Sequence, residues 1–107
     1  MSTEFDARVT AVIAALGEGE VVSYGDVADV AGYPGRSRAV GALLAGGRVD
    51  VPWWRVVRSD GRLATEPSAG QAELLRSEGV IVRGGRVRSA PIGRFRRISS
   101  SPAPPSP

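Results

Sequence analysis

Pro34, set between Tyr33 and Gly35, interrupts a stretch that would otherwise read as one long helix. A proline lacks the N–H that a helix interior uses, and its ring collides with the preceding turn, so one helix must stop and another begin. The upstream helix opens at Ser23, where Asp26 three residues on makes a capping-box pattern. It is expected to run through about Val30, with Val27 and Val30 inward and Gly32 at its end. The downstream helix spans about Arg36 to Ala45 on Val40, Leu43 and Leu44, and stops at Gly46-Gly47. Two short helices around a tight turn match the helix-turn-helix pattern, whose second helix can enter a DNA groove. Many such pairs bind nothing, so the pattern alone leaves function open.

The flanking segments extend this frame. Thr3 and Asp6 form another capping pattern, and Phe5, Val9, Val12, Ile13 and Leu16 follow at helical spacing with Gly17 as the stop. Val21-Val22 reads as a short extended link. Val49–Val57 also reads as extended, with a turn at Ser59-Asp60-Gly61. Ser68 and Gln71 cap a further helix to Glu78, with Leu74 and Leu75 inward and Gly79 as its stop. Val80 to Arg88 then reads as a β-hairpin, because Gly84-Gly85 suits a primed turn. The sum is a small α+β, winged-helix-like domain over residues 1–90. Residues 91–107 are basic and then Pro/Ser-rich; residues 99–107 hold four Pro and four Ser, too little apolar surface to offset ordering, so a disordered tail is expected.

Composition excludes whole classes of chemistry. The sequence has no Cys and no His. It can therefore build no disulfide, thiolate nucleophile, Cys/His zinc site or His-based triad, and we expect no cofactor and no metal. All 11 acids and eight of the 14 arginines lie in residues 1–80, while residues 81–107 carry six arginines and no acid. Such asymmetry can signal nucleic-acid or membrane contact. No apolar run approaches the length of a membrane span, and no signal-peptide pattern opens the sequence, so a soluble, monomeric, cytoplasmic protein is the expectation.

Three segments carry a resemblance. Val21-Val22-Ser23-Tyr24-Gly25-Asp26-Val27-Ala28 is similar to the V-x-S/T-Y-G-x-[IL]-A segment of the O6-alkylguanine-DNA alkyltransferase C-terminal domain. Ser37-Arg38-Ala39-Val40-Gly41 resembles that family's A-R-A-V-G recognition helix. Val51-Pro52-Trp53-Trp54-Arg55-Val56-Val57 resembles its I-P-C-H-R-V active-site stretch. Ser68-Ala69-Gly70, Leu74-Leu75 and Glu78-Gly79-Val80 fit the helix that follows. The likeness runs in order from about residue 3 to residue 88. Trp53 stands at the acceptor Cys, which is the mark of the alkyltransferase-like proteins, and Trp54 stands where these usually keep His.

The resemblance implies a function. The family holds duplex DNA through the minor groove and extrudes the damaged base into a pocket. That costs a few kcal/mol of stacking and pairing, and something must fill the gap. By position Arg38 would fill it, and Tyr24 would crowd the adjacent phosphate. Ser37, Ala39, Gly41, Ala42 and Ala45 would let the helix approach a narrow groove. Trp53 would line the pocket, with Trp54 and Glu66 near it. An indole cannot accept an alkyl group as a thiolate does, so the implied protein is no enzyme. It is a sensor of O6-alkylguanine in double-stranded DNA that flags the lesion for nucleotide excision repair. Residue by residue, blander readings stand beside these: Tyr24 as a helix-start aromatic, Arg38 as a solvated cation, Trp54 as mainly structural and Arg55 as a structural donor. For the whole chain, the alternatives are a winged-helix transcription regulator on undamaged DNA and a module that contacts protein only.

Overall fold

Side-chain caps fix where the first two helices begin. The computed structural model describes residues 3–46, 50–63 and 69–96. Thr3 accepts the Asp6 N–H at 3.1 Å and opens α1, Glu4–Ala14. Ser23 and Asp26 complete a full capping box at the start of α2, Tyr24–Ala31, each accepting the other's N–H at 3.0 Å. Gly32 closes α2 at φ 95°, a left-handed position suited to glycine. After the Pro34 turn comes α3, Ser37–Ala45, whose N-cap Arg36 gives no side-chain cap. The helix-turn-helix expected from the sequence is therefore present. Together α1, α2 and α3 bury Val9, Ile13, Val27, Ala28, Ala31 and Val40 in one core cluster, which Val51 and Val56 join.

A small parallel sheet lies beside this cluster. It orders as β2–β1–β5, with β1 (Glu20–Ser23) between β2 (Val56–Val57) and β5 (Ile92–Gly93). Parallel neighbours need a crossover connection, and α2 and α3 lie within the one from β1 to β2. A second core cluster gathers Val21, Val57, Leu63, Ala72, Leu75, Val80, Val82, Val87 and Ala90 beneath α4 (Ala69–Ser77). Its cover is the antiparallel hairpin β3 (Ile81–Arg83) and β4 (Arg86–Ser89). Gly84 and Gly85 turn this hairpin at φ 61° and 72°, the two positive values a primed turn requires. The α+β class and the hairpin thus match the sequence reading. No helix among the described residues is long and apolar enough to cross a membrane.

The structure departs from the sequence reading in five places. Val30 is 73% exposed, not inward. At 100° per residue Val27, Ala31 and Ala28 span the buried arc with Val27 at its edge, and Val30 lies 60° beyond that edge, on the solvent side. Leu75 is fully buried but Leu74 is 38% exposed, since neighbours 100° apart cannot both centre on the core. The first helix ends at Ala14, before Gly17, and Leu16 turns its carbonyl to Arg55. Of the stretch 49–57 read as extended, Val49 lies outside the described residues, and the described part is not one extended run: Trp53–Arg55 is a 3-10 turn and Val56–Val57 is strand. Pro52, at φ −74° and ψ 69°, forms an inverse γ-turn in which Trp53 N–H donates to the Val51 carbonyl at 2.7 Å. Finally, the chain stays in the fold past residue 90, because β5 pairs with β1. Ser68, Glu66 and residues 97–107 lie outside the described residues.

Candidate nucleic-acid interface

Tyr24 begins α2, half-buried against the three-helix cluster. Its ring lies beside Gly41 of α3, where a Cβ would stand 4.0 Å from Tyr24 Cε1. Burial pushes the phenol's pKa above its ordinary value, against the opposing pull of the Arg58 guanidinium. The sheet explains that neighbour. Val22 aligns with Val56 and Ser23 with Val57, and Tyr24 and Arg58 are the residues that follow this last pair.

The outer side of α3 carries Ser37, Arg38, Ala42 and Ala45, all exposed, with Gly41 half-buried between them. At 100° per residue these five occupy one arc of under half a turn. Ala39 lies at the edge of this arc and is half-buried, and Val40 anchors the opposite side in the core. This face is nearly free of side-chain bulk apart from Arg38. Among the described residues the Arg38 side chain has no ion pair, hydrogen bond or ring contact, so it is available to a ligand. No acid sits in the first turn of α3, which leaves its positive N-terminal end without a carboxylate.

The adjacent tryptophans are held differently. Trp54 packs on the second core cluster and donates its indole N–H to Glu78 Oε2 at 2.9 Å. Arg55 gives the same carboxylate Nη2 at 2.7 Å and Nε at 3.0 Å, and gives Nη1 to the Leu16 carbonyl at 2.8 Å. The Gly19 N–H adds a further bond to Glu78 at 2.9 Å. Burial alone would raise the Glu78 pKa, yet the bonds from Arg55, Gly19 and Trp54 outweigh it and hold the carboxyl below its usual range. Trp54 is thus tied into the structure through its indole N–H, and Arg55 is a structural donor. Buried Gln71 fastens the same segment from α4, its Nε2 donating to the Trp54 and Val56 carbonyls at 3.1 Å each.

Trp53 belongs to neither core cluster as described. It is half-buried and meets Trp54 edge-on, ring centroids 5.9 Å apart at 87°. The Pro52 γ-turn and the Glu78 node on either side fix its backbone, and the residue keeps exposed surface. That is the arrangement of a preset aromatic platform. Glu66 lies outside the described residues. A separate apolar concavity of about 410 Å³ opens between α1, β1 and α2, lined by Val12, Leu16, Val22, Val27 and Val30, and it contains none of Tyr24, Arg38 and Trp53.

Sequence reasoning missed Glu78 and Arg58 as parts of this region. Glu78 is 23 residues from Arg55, and no local pattern links them. Arg58 could be singled out only through the β1–β2 register. Arg94, read as tail, is fixed too: Nε and Nη2 each reach Asp26 at 2.8 Å, so the tail side of the sheet clamps the α2 cap.

Residues 4–80 match the family model described as 6-O-methylguanine DNA methyltransferase, DNA binding domain. A DNA base-flipping protein of Escherichia coli K12 is 42% identical over 86 residues, which cover 75% of this chain and 65% of that protein, just under two thirds of its length. A DNA base-flipping protein of Vibrio parahaemolyticus is 35% identical over 85 residues, covering 74% of this chain and 83% of the relative. Among solved structures, S. pombe Atl1 in complex with damaged DNA containing O6-carboxymethylguanine superposes with a TM-score of 0.70 at 29% identity, covering 78% of this chain and 83% of the other.

Proposed function

The chain belongs to the 6-O-methylguanine DNA methyltransferase DNA-binding family, and from that premise we propose that it is a non-enzymatic sensor of O6-alkylguanine in duplex DNA. The observation that carries this reading is Trp53. It stands where the family's acceptor Cys would be, it is half-buried and outside both core clusters, and the sequence has no thiol to take an alkyl group. A flipped base can stack on such a ring for roughly 1–3 kcal/mol, which retains the lesion without chemistry.

In this reading α3 enters the minor groove on its small-residue face, Ser37, Gly41, Ala42 and Ala45, with Ala39 at the margin. Arg38 fills the gap left by the extruded base and donates to the orphaned partner. Tyr24 presses on the phosphate beside it. The protein acts as a monomer on cytoplasmic DNA, and the held lesion is passed to nucleotide excision repair. The relatives' base-flipping names and the complex of Atl1 with O6-carboxymethylguanine DNA support the reading. A mobility shift with paired duplexes, one bearing a single O6-methylguanine and one unmodified, tests it. The sensor binds the modified duplex more tightly; equal affinity would return the chain to the class of general DNA-binding modules.

A further inference from the structure

Most arginines on the described residues already have partners. Arg8 pairs with Glu4, Arg55 with Glu78, Arg62 and Arg86 with Asp60, and Arg94 with Asp26. Arg76 donates to the Val82 carbonyl, and Arg36 lies over the Phe5 ring. Arg58 is different. It is exposed, and among the described residues its side chain makes no ion pair or hydrogen bond.

We propose that Arg58 and the Tyr24 hydroxyl together form a binding site for one phosphodiester of the DNA backbone. The inference rests on the DNA-binding reading above, in which Tyr24 already meets a phosphate, and adds Arg58 to that contact.

Three observations carry it. The β1–β2 ladder ends at the pair Ser23–Val57, so Tyr24 and Arg58 are the residues that leave it side by side, and the Arg58 charge is close enough to act on the Tyr24 phenol. The Arg58 backbone is held by a tight turn, its N–H donating to the Arg62 carbonyl at 3.0 Å and its carbonyl accepting the Gly61 N–H at 2.8 Å. That turn has little freedom, since Gly61 has φ 92° and a Cβ there would meet the Val87 carbonyl at 2.8 Å. Thirdly, the Tyr24 hydroxyl has no hydrogen-bond partner among the described residues, although the residue is half-buried. A cation on a held backbone near an O–H donor without a protein partner, with Asp60 drawn off by Arg62 and Arg86, suits an anion and not a neutral group. Because Tyr24 also abuts Gly41, the bound phosphate would lie next to α3 and its Arg38. The guanidinium fork can take two phosphate oxygens while the phenol donates to one of them.

The test uses the whole chain and the two duplexes named above, with affinity measured by fluorescence anisotropy across a series of salt concentrations. Arg58→Ala is expected to weaken binding to both duplexes about tenfold and to reduce the slope of log K against log salt by about 0.9, one phosphate's worth of released counterion. The ratio between the duplexes should stay near its wild-type value. Arg58→Lys should keep the slope and recover part of the affinity. Tyr24→Phe should cost less in the Arg58→Ala background than alone, because both residues hold one phosphate. An unchanged slope in Arg58→Ala, with the fold intact by circular dichroism, overturns the site. Equal wild-type affinity for the two duplexes together with a slope that still falls keeps the phosphate site and removes only the lesion reading. A wild-type chain with no salt-dependent binding removes both.

Discussion

The Trp54 indole N–H donates to Glu78 Oε2 at 2.9 Å, and that bond divides the work of two adjacent tryptophans. Trp54 is tied to the core cluster beneath α4, and its neighbour Trp53 is left half-buried, outside both core clusters, on a fixed backbone. The same carboxylate takes two further bonds from Arg55 and one from the Gly19 N–H. Glu78 therefore joins α4 to the 3-10 turn and to the approach to β1.

Replacing that carboxylate should cost more than replacing the Trp53 ring. Glu78→Gln leaves the nearly buried Arg55 guanidinium without its counter-charge, and we expect a loss of about 3 kcal/mol in urea unfolding. Trp53→Ala, at a site outside both clusters, should cost under about 1 kcal/mol. Equal losses would mean that Trp53 is core.

Acid should weaken the fold through two named carboxyls. The hydrogen bond and charge of Arg94, with help from the Ser23 N–H and hydroxyl, lower the Asp26 pKa to about 2, and Glu78 is also held below its usual range. Both are lower in the folded chain than in the unfolded one. Each thus adds stability above its unfolded value, near 4, and loses it as the pH falls through the folded value. The urea midpoint should fall from about pH 4 toward about pH 2, and less steeply in Asp26→Asn. An equally steep fall in that variant would remove Asp26 from the account.

Much of this architecture could be read in the sequence, because local chemistry fixes it. Ser23 and Asp26 announce their helix, Pro34 dictates the turn, and Gly84-Gly85 the hairpin. What could not be read depends on contacts between distant residues. Strands β2 and β5 are two residues each, too short for any period, and become strands only by lying against β1. Val30 looked buried because a valine three residues from Val27 suits a helical stripe, whereas the buried arc is filled by alanines. At the candidate interface, the motif positions of Tyr24, Arg38 and Trp53 stand out in the sequence. The separation of Trp53 from Trp54 does not, since it depends on Glu78.

The C-terminal boundary is a further consequence. Gly93 has φ 95°, and a Cβ there would overlap the Val21 carbonyl. Gly93→Ala should therefore destabilise by about 2–3 kcal/mol, by strain and by parting β5 from β1. A chain cut after Ser89 loses β5 and Arg94 together, so its urea midpoint should fall at least as far. An unchanged midpoint in the cut chain would show that β5 adds nothing to the fold.

Arg38 should separate extrusion from the fold. With a fluorescent base beside the lesion, Arg38→Ala should abolish most of the signal of base extrusion while leaving the fold intact, because the exposed side chain has no protein contact to lose. A full signal in this variant would remove the gap-filling role.

The most direct measurement is the ratio of affinities for the O6-methylguanine duplex and its unmodified twin, in wild type and in Trp53→Ala. Stacking worth about 1–3 kcal/mol predicts a preference of roughly five- to 150-fold in the wild type. It should fall to near unity in Trp53→Ala, with binding to the unmodified duplex retained. A wild-type ratio of one, or a ratio that survives loss of the Trp53 ring, would contradict the account.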